Sequence, residues 1–367
     1  MFAILVINPG STSTKIAMFH DKECAFSYSI SHDSDELAVF GTINDQTDFR
    51  INAIKTVLHK EKIELERIDA FVGRGGLLKP ISSGTFTVDA NMLDDLQKGV
   101  LGQHASNLGG IIAHRFAEKY SKPAYIVDPV VVDELQDIAR LSGHPLLPRK
   151  SIFHALNQKS VARQAAATLG KSYESCNLII AHLGGGISVG AHHNGRVIDV
   201  NNALNGEGPF SPERSGTLPA ADLVDICFSG KYTRHEIQKM IKGAGGIVGY
   251  LGVNDLRKVN KMLEKEGPDS FAHLVYRAMV YQIAKEIGCM AAVLKGKVDA
   301  IVLTGGITQD QQIVKLIADY VSFLGVILTI PGEEEMSALA AGALKVLKGE
   351  EKAKNYKDSI LENDLNF

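Results

Sequence analysis

The sequence predicts an α/β protein of two related halves, each a mixed β-sheet flanked by helices. An apolar strand, a glycine-rich turn and a second strand open the chain, and the same pattern recurs around residue 184. Gly10 in the first turn corresponds to Gly184 in the second, about half the chain further along. That spacing indicates a duplicated domain rather than a solenoid, whose repeats span roughly 20–50 residues.

The first half begins with FAILVINPGSTSTKIAMF, which predicts a buried strand, a polar turn and a second strand starting near Lys15. A short polar stretch, HDKE, then leads into AFSYSI, the third strand of a meander. Helical patterns cover residues 48–60 and Asn107–Tyr120. The segments IDAFVGRGG and PAYIVDPVV predict two further strands.

The second half repeats the meander in NLIIAHLGGGISVGAHHNGRVIDV, with a hairpin at Asn194-Gly195. A long amphipathic helix is expected over Ser270–Leu294, followed by the strand VDAIVLTGGIT. The segment GVILTIPGEEEMSALAAGALKVL predicts a strand, a turn and a helix, and the charged tail from Gly349 predicts a solvated surface helix.

The proline-containing stretch GHPLLPRK marks the expected domain boundary, near Arg149. The first domain then comprises residues 1–149 and the second comprises residues 150–336. We expect the last helical segment, about residues 337–367, to return to the first domain.

Composition limits the classes of function. Apolar residues make up 45% of the 367 and charged residues 22%, and the net charge is −3. That balance gives no electrostatic reason to expect nucleic acid or an anionic membrane as a partner. No apolar run reaches the roughly 18 residues of a transmembrane helix, and the four cysteines form no CxxC pair. A cytoplasmic protein is expected.

Three glycine-rich turns follow predicted strands: NPGSTSTK, HLGGGIS and LTGGIT. Glycine lets backbone N–H groups approach phosphate oxygens, and hydroxyl and lysine side chains add donors. One such turn alone would more simply be a hairpin, whereas three favour a nucleotide clamp between the domains. None fits GxxxxGK[ST] or a GxGxxG that opens a helix. The phosphate- and nucleotide-binding candidates in these turns are Asn8, Ser11, Ser13, Lys15, His182, Gly184, Gly185, Gly186, Gly305 and Gly306.

The run LVINPGSTSTK resembles the N-terminal motif of the acetokinase family. The resemblance continues in family order through GRGGLLKPI, FHALNQKS, AHLGGGIS, GPFSPERSGTLP, TGGIT and PGEEEM, and so spans essentially the whole chain. The residues of several motifs most resemble those of the branch of the family that acts on butyrate. The resemblance implies a duplicated ribonuclease H-like, actin-like fold with an ATP cleft between the two domains. It also implies a homodimer or a larger homo-oligomer.

The implied reaction is reversible transfer of the ATP γ-phosphate to the carboxylate of butyrate or a related short-chain fatty acid, giving acyl phosphate and ADP. Two anions must approach, so catalysis consists mainly of positioning and electrostatic stabilisation. Arginine suits this task, because its planar fork meets carboxylate or phosphate oxygens in pairs. By resemblance, Arg74 in VGRGG and Arg214 in SPERSG bind the substrate carboxylate and the transferring phosphoryl group. The alternative for either is a surface ion pair.

The resemblance assigns further site residues. His154 would bind the equatorial oxygens of the phosphoryl group, and Asp128 would orient the metal and substrate side of the site. His182 and His104 would lie near the phosphates and the substrate, and Phe153 would line the substrate pocket. For each histidine taken alone, a structural role is the competing interpretation.

Magnesium needs few protein ligands beside the phosphates, and Glu334 matches the family's metal-associated glutamate, with Glu335 as the fallback. Acidic residues at this place also favour the helix dipole. Asp255 and Arg257 match a pair placed near adenosine and its phosphates, and an exposed charge pair without function is their alternative.

Two departures from the acetate kinase pattern bear on the substrate. Gly185 stands where acetate kinases have an asparagine, so backbone N–H groups would have to replace a side-chain donor. Gly76 stands where they have a β-branched residue, which predicts room for a longer acyl tail. Each buried methylene contributes about 0.8 kcal/mol, and this favours four- or five-carbon acids over acetate.

Several other functions fit parts of the pattern. Acetate or propionate could be the acceptor, or the chain could be a sugar kinase of the same fold, which uses an aspartate base to accept a hydroxyl proton. An actin-like filament protein or a chaperone-type ATPase would share the fold as well. A pair of acceptor-side arginines favours the carboxylate kinase.

Overall fold

The structure of the protein, a computed structural model, describes residues 1–332 and 334–361. The chain forms two compact units. Unit 1 comprises Met1–Asp133 and Glu334–Phe367, and unit 2 comprises Glu134–Glu333. The strands of unit 1 are β1 Ala3–Pro9, β2 Ser13–His20, β3 Glu23–Ser31, β4 Ala70–Arg74, β5 Thr85–Thr87 and β6 Ala124–Val127. Those of unit 2 are β7 Asn177–Leu183, β8 Ile187–His193, β9 Arg196–Val200, β10 Ala300–Gly305 and β11 Val326–Pro331.

The sheet of unit 1 has the strand order β3-β2-β1-β4-β6-β5. Strands β1, β2 and β3 form an antiparallel meander, and β1, β4 and β6 run parallel. The short strand β5 closes one edge antiparallel to β6. The predicted meander and both later strands of the first half are therefore confirmed.

The sheet of unit 2 has the order β9-β8-β7-β10-β11, which repeats the first five positions of unit 1. Its first three strands are again an antiparallel meander, and β7, β10 and β11 run parallel. The predicted hairpin lies between β8 and β9, where Asn194 and Gly195 both have positive φ, as a two-residue turn of this type requires. The shared topology confirms the duplicated fold.

Helices pack around both sheets. The long helix of unit 2, its capping residue Ser270 and the predicted Asn107–Tyr120 helix all agree with the sequence pattern. Within the described residues, no helix combines the length and apolarity needed to cross a membrane. The helices are α1 Ser34–Ala38, α2 Thr47–Lys60, α3 Ala90–Lys98, α4 Asn107–Tyr120, α5 Asp137–Arg140, α6 Ala155–Thr168, α7 Ala220–Phe228, α8 Arg234–Ile241, α9 Ile247–Leu251, α10 Leu256–Glu266, α11 Phe271–Val293, α12 Gln311–Val321 and α13 Glu335–Leu347.

A pair of glycines sets the distance between α4 and the end of β4. A Cβ on Gly73 would overlap with the backbone carbonyl of Gly109, and a Cβ on Gly109 would overlap with the backbone of Arg74. The helix therefore contacts the strand backbone directly, as glycine permits. This close approach holds the strand segment that carries Arg74.

The charged tail differs from its prediction as a surface helix. Helix α13 ends at Leu347, and residues 350–361 contain no α-helix. The segment instead pairs with β5, because Lys354 N–H donates to Thr85 O at 2.8 Å and Thr87 N–H donates to Lys354 O at 3.1 Å. The tail's Tyr356 is fully buried, and that apolar anchor outweighs the charge pattern that predicted a solvated helix. The expected extension to residue 367 includes residues 362–367, which lie outside the described part.

The unit boundary lies at Asp133, earlier than the predicted Arg149. Arg149 itself donates to Asp199 Oδ1 at 2.9 Å and to Val200 O at 3.0 Å, both in unit 2. The proline-containing loop before it is therefore a surface segment of unit 2 and not a linker.

The buried tail makes a testable contribution to stability. Tyr356 donates to Asp95 Oδ2 at 2.8 Å and accepts from Lys79 N–H at 3.1 Å. In Tyr356→Phe both partners lose a hydrogen bond, so we expect the free energy of unfolding to fall by about 1–3 kcal/mol. Chemical denaturation measures this change. The control Tyr28→Phe alters an exposed ring and should leave stability unchanged; equal stability of all three proteins would contradict the prediction.

Candidate active site

Three candidate side chains of unit 1 lie at one edge of its sheet. Asn8 is near the carboxyl end of β1, Arg74 ends β4, and Asp128 directly follows β6. These strands are parallel neighbours, so their carboxyl ends meet at the same edge, the usual place for a ligand site in such sheets. Lys15 pairs with Asn8 across the β1–β2 ladder, which puts its side chain on the same face.

Arg74 is held through one nitrogen of its guanidinium. Its Nη1 donates to Glu335 Oε2 at 2.7 Å and to Asn8 Oδ1 at 3.4 Å, and Asn8 Nδ2 donates to the same carboxylate oxygen at 2.8 Å. The Arg74 side chain is 26% exposed and the Glu335 side chain 12%. Within the described part of the chain, Nε and Nη2 of Arg74 make no hydrogen bond. One side of its fork is thus fixed, and the other can receive an oxyanion.

Asp128 is buried and sits in a left-handed backbone conformation, with φ of 37°. Its Oδ1 accepts from Ser83 Oγ at 2.6 Å and from Gly84 N–H at 2.8 Å. Its own N–H donates to Gly84 O at 3.0 Å. These bonds hold a backbone that a non-glycine residue rarely adopts, so Asp128 fixes the loop at the strand end.

The turn between β1 and β2 is organised by Arg50, a residue of α2 that is completely buried. Its Nη1 donates to Gly10 O and Ser13 O, both at 2.9 Å, and its Nη2 donates to Ser11 O at 3.1 Å. Gln46 Oε1 accepts two further bonds. Carbonyls of the turn therefore converge on a guanidinium, and burial lowers the pKa of that group.

Sequence reasoning missed Arg50. The usable signal was its place on the helix, because Arg50 shares a face with the buried Ile54 and Leu58 at helical spacing. A cation at a position that the pattern assigns to the core needs partners. Here the partners are uncharged oxygens of the candidate phosphate turn.

The space beside Gly76 is filled. A Cβ on Gly76 would overlap with Asn107 Oδ1 and lie 2.5 Å from Asn107 Cα. Asn107 is itself fixed, since its Oδ1 accepts from Leu77 N–H at 2.9 Å. The expectation that the absent side chain leaves room for an acyl tail is therefore wrong. The nearby His104 is exposed, with Nδ1 2.8 Å from Ser106 Oγ.

The matching edge of unit 2 carries the two other glycine turns. Gly184–Gly186 joins β7 to β8, and Gly305 ends β10 with φ of 94°. A Cβ on Gly305 would overlap with the carbonyl of Leu183, so the two turns contact each other through backbone alone. Gly305 and Gly332 exchange two hydrogen bonds of 3.2 Å, which joins the end of β11 to this edge.

His154 and His182 stack at this edge, with ring centroids 3.9 Å apart and planes inclined by 16°. His154 precedes α6, and its Nδ1 is 2.8 Å from Ser188 Oγ. His182 is buried, and its Nδ1 is 2.8 Å from Asn157 Oδ1. An amide oxygen only accepts, so His182 donates from Nδ1.

Arg214 lies directly on the glycine turn. A Cβ on Gly186 would overlap with the Arg214 guanidinium, whose Nη1 donates to Ala203 O at 2.5 Å. Burial lowers the pKa of Arg214, and the charge of Glu213 opposes this shift in part. Among the described residues no carboxylate lies within ion-pair distance of Arg214. The turn therefore carries a half-buried cation that is not neutralised.

The remaining candidates of unit 2 are Asp255, Arg257 and Phe153. Asp255 caps α10 and binds Arg257 through both carboxylate oxygens, at 2.9 and 2.8 Å. The hydrogen bonds from Arg257 lower the pKa of Asp255 to about 2. The Arg257 side chain is 89% exposed. Phe153 is buried next to His154.

The two metal candidates have different surroundings. Glu334 is exposed at the cap of α13, where its backbone carbonyl accepts from Ser337 Oγ and Ala338 N–H. Glu335 instead directs its carboxylate to Asn8 and Arg74. The described residues contain no group of three acidic, histidine or cysteine side chains suited to a metal. A cation here would need further ligands from phosphates and water, as magnesium commonly has.

A larger side chain at Gly76 tests whether Asn107 fills the space beside it. In Gly76→Val the new side chain must displace Asn107 at the start of α4, so we expect a loss of about 1–3 kcal/mol in the free energy of unfolding. Denaturant titration measures it. The control Gly41→Val changes an exposed glycine with only Asp45 Oδ2 near, at 3.6 Å. A Gly76→Val protein as stable as this control would show that the space is open.

Comparison with known proteins shows what this chain is similar to. The acetokinase family model matches residues 143–342. Butyrate kinase 1 of Clostridium acetobutylicum is 55% identical over 358 residues, which cover 97% of this chain and all of that protein. Butyrate kinase 2 of the same organism is 57% identical over 357 residues, covering 97% of this chain and 99% of the relative.

Solved structures share the fold at lower identity. An acetate kinase from Porphyromonas gingivalis superposes with a TM-score of 0.77 at 20% identity, covering 95% of this chain and 100% of that one. A propionate kinase from Francisella tularensis superposes with a TM-score of 0.73 at 22% identity, covering 93% and 99%. Together with the sequence matches over nearly the whole length, these likenesses lead to one conclusion: the chain belongs to the acetokinase family.

Proposed function

We propose that this chain is a butyrate kinase, which transfers the γ-phosphate of ATP reversibly to the carboxylate of butyrate or a related short-chain fatty acid. The observation that carries the proposal is the half-engaged guanidinium of Arg74. Its Nη1 is held by Glu335 and Asn8, while Nε and Nη2 make no bond within the described residues. These two donors form the edge that meets a carboxylate in bidentate fashion.

A sugar kinase of the same fold would need an aspartate as general base. Asp128 is the acid at the corresponding strand end, and its Oδ1 already accepts two hydrogen bonds from its own loop. A carboxylate acceptor is ionised at neutral pH and requires no base. The arginine at the strand end therefore favours an acid over an alcohol as acceptor.

Residues of unit 2 bind the transferring phosphoryl group in this proposal. Arg214 is a desolvated cation beside the Gly184–Gly186 turn, and a phosphoryl oxygen would offset its charge. His154 and the backbone N–H groups of the turn supply further donors. The turn of unit 1, shaped by Arg50, carries hydroxyl and N–H groups and Lys15, which are further candidates for binding phosphate.

Magnesium takes oxygen ligands, and the Glu335 carboxylate, which is held by N–H donors of Asn8 and Arg74, can supply one. One or two carboxylates suffice when phosphates and water complete the octahedral shell, and we propose Glu335, with Asn8 beside it, in place of Glu334. When bound, magnesium neutralises phosphate charge. Arg74 and Asn8 would hold the Glu335 carboxylate in place through the contacts described above.

The choice of butyrate over acetate rests on the two relatives named butyrate kinase. The packing of Asn107 against Gly76 leaves no extra room for a longer acyl tail and therefore does not support this choice. The proposal includes a cytoplasmic location and a homo-oligomer.

Self-association is supported by α7, whose Val224, Ile226 and Phe228 are 53%, 37% and 85% exposed. Light scattering of the purified chain measures its size; a monomer at all concentrations would contradict this part.

Incubation with Mg-ATP, hydroxylamine and a panel of acids tests the reaction directly. Acyl phosphates react with hydroxylamine to give coloured hydroxamates, and we expect the greatest yield with butyrate or another four- to five-carbon acid. One methylene is worth about 10–200-fold in discrimination, so propionate should react more slowly. Faster turnover of acetate would contradict the acyl-chain assignment. Sugar-dependent ADP release without hydroxamate would contradict the proposal as a whole.

The role of Arg74 is tested by Arg74→Lys. Lysine keeps the charge but loses the planar fork, so we expect the kcat of hydroxamate formation to fall by about 100-fold or more. The control Arg67→Lys changes an exposed arginine that pairs with Glu64, and its rate should equal that of the unmodified enzyme. Near-normal turnover of Arg74→Lys would remove Arg74 from the mechanism.

A further inference from the structure

A continuous chain of hydrogen bonds runs from the candidate catalytic histidine into the interior of unit 2. Its links measure 2.8 Å from His154 Nδ1 to Ser188 Oγ, 2.8 Å from there to Gln158 Nε2, 2.9 Å from Gln158 Oε1 to His192 Nε2, and 2.8 Å from His192 Nδ1 to the Tyr173 hydroxyl. Ser188, Gln158 and His192 are fully buried, so the bonds among them lie inside the protein.

The backbone carbonyl of Ser188 fixes the direction of the whole chain. It lies 3.0 Å from Gln158 Nε2, and a carbonyl only accepts. The nitrogen of the Gln158 amide must therefore face Ser188, and its second N–H donates to Ser188 Oγ. The amide oxygen then faces His192. Gly190 leaves room for it, because a Cβ there would lie 2.6 Å from Gln158 Oε1.

His192 is consequently neutral, with its proton on Nε2. Gln158 Oε1 requires a donor, which is His192 Nε2–H, and the Tyr173 hydroxyl donates to His192 Nδ1. Burial lowers the pKa of His192 well below its ordinary value, and the positive charges of Lys159 and Arg163 lower it further. Each group in this part of the chain thus has a single consistent role.

The other end of the chain determines the state of His154. Ser188 Oγ accepts from Gln158 Nε2 at 2.8 Å and from the His154 backbone N–H at 3.5 Å, which occupies both of its acceptor positions, so its own proton points to His154 Nδ1. A neutral imidazole that accepts at Nδ1 carries its proton on Nε2.

We propose that Gln158 and Ser188 are positioning residues that lock His154 as the neutral Nε2–H tautomer, which makes it a hydrogen-bond donor to the transferring phosphoryl group. The inference rests on the proposed function for the role of that donor, but the tautomer itself is a property of the free protein. The opposite tautomer would present a lone pair to the phosphoryl oxygens, where it would repel them.

The unmodified protein gives the first test. Two-bond ¹H–¹⁵N correlation NMR on protein labelled at histidine distinguishes both neutral tautomers and the imidazolium, and the spectrum of His154→Gln identifies the His154 signals. We expect the Nε2–H tautomer for both His154 and His192 at pH 7.5. An Nδ1–H tautomer or an imidazolium at His154 would overturn the proposal without any assay of activity.

The substitution Gln158→Glu reverses the donor at almost constant shape. An ionised carboxylate only accepts, so the Ser188 hydroxyl turns toward it and His154 must donate from Nδ1. We expect a switch to the Nδ1–H tautomer and a fall of about 10–100-fold in the kcat of hydroxamate formation, with the KM for ATP changed less than threefold. The control Gln238→Glu, on the exposed face of α8, should change neither the tautomer nor the rate.

The two readouts separate this inference from the proposed function. A tautomer switch with unchanged kcat would overturn the catalytic role of the chain, and a fall in kcat without a switch would reduce Gln158 to a packing residue. An unchanged tautomer and rate would overturn both parts. If no acid yields hydroxamate but the tautomer switches as expected, the positioning of His154 stands while the proposed function fails.

Discussion

Positive charge held away from water, without a carboxylate to neutralise it, is the constraint on which both candidate sites depend. Arg50 is buried among carbonyls of the turn between β1 and β2, and Arg214 lies against the turn between β7 and β8 with a carbonyl as its acceptor. Desolvating a cation is costly unless an anion compensates. A protein that retains such groups loses stability when it is free and regains it when it binds an anion, a compromise commonly found at functional sites. In the proposed function, a triphosphate or an acyl phosphate would supply the missing charge.

Glycines in the backbone allow the Arg214 guanidinium and helix α4 to lie close to neighbouring main chain. Gly186 leaves the volume that the Arg214 guanidinium occupies, and Gly73 lets α4 contact the strand that ends in Arg74. Carbonyls drawn toward Arg50 occupy the inner side of their turn. These glycines thus make room for a side chain and for a helix. Their spacing follows from the duplicated sheet, whose parallel strands end at equivalent edges in the two units.

Local patterns in the sequence were sufficient to predict the sheets, since the strand–turn–strand repeat carries its own period and turn residues. Motif order predicted the site arginines and histidines, and these assignments remain predictions. Properties that depend on packing between distant parts of the chain could not be predicted from the sequence. The space at Gly76 is decided by Asn107, thirty-one residues away, and the burial of Tyr356 is decided by Asp95 and Lys79. Arg50 could have been found from its helical face, whereas the orientation of the Gln158 amide depends on a single carbonyl across two elements.

The most direct test of uncompensated charge is the free energy of unfolding of Arg214→Gln, measured against the unmodified protein with and without ADP plus butyryl phosphate. Removing a half-buried cation that lacks a carboxylate partner should leave the free protein at least as stable. The same change should abolish most of the stabilisation that the ligands give by binding the folded state. A variant that is less stable when free, yet is stabilised by the ligands as much as the unmodified protein, would contradict the account.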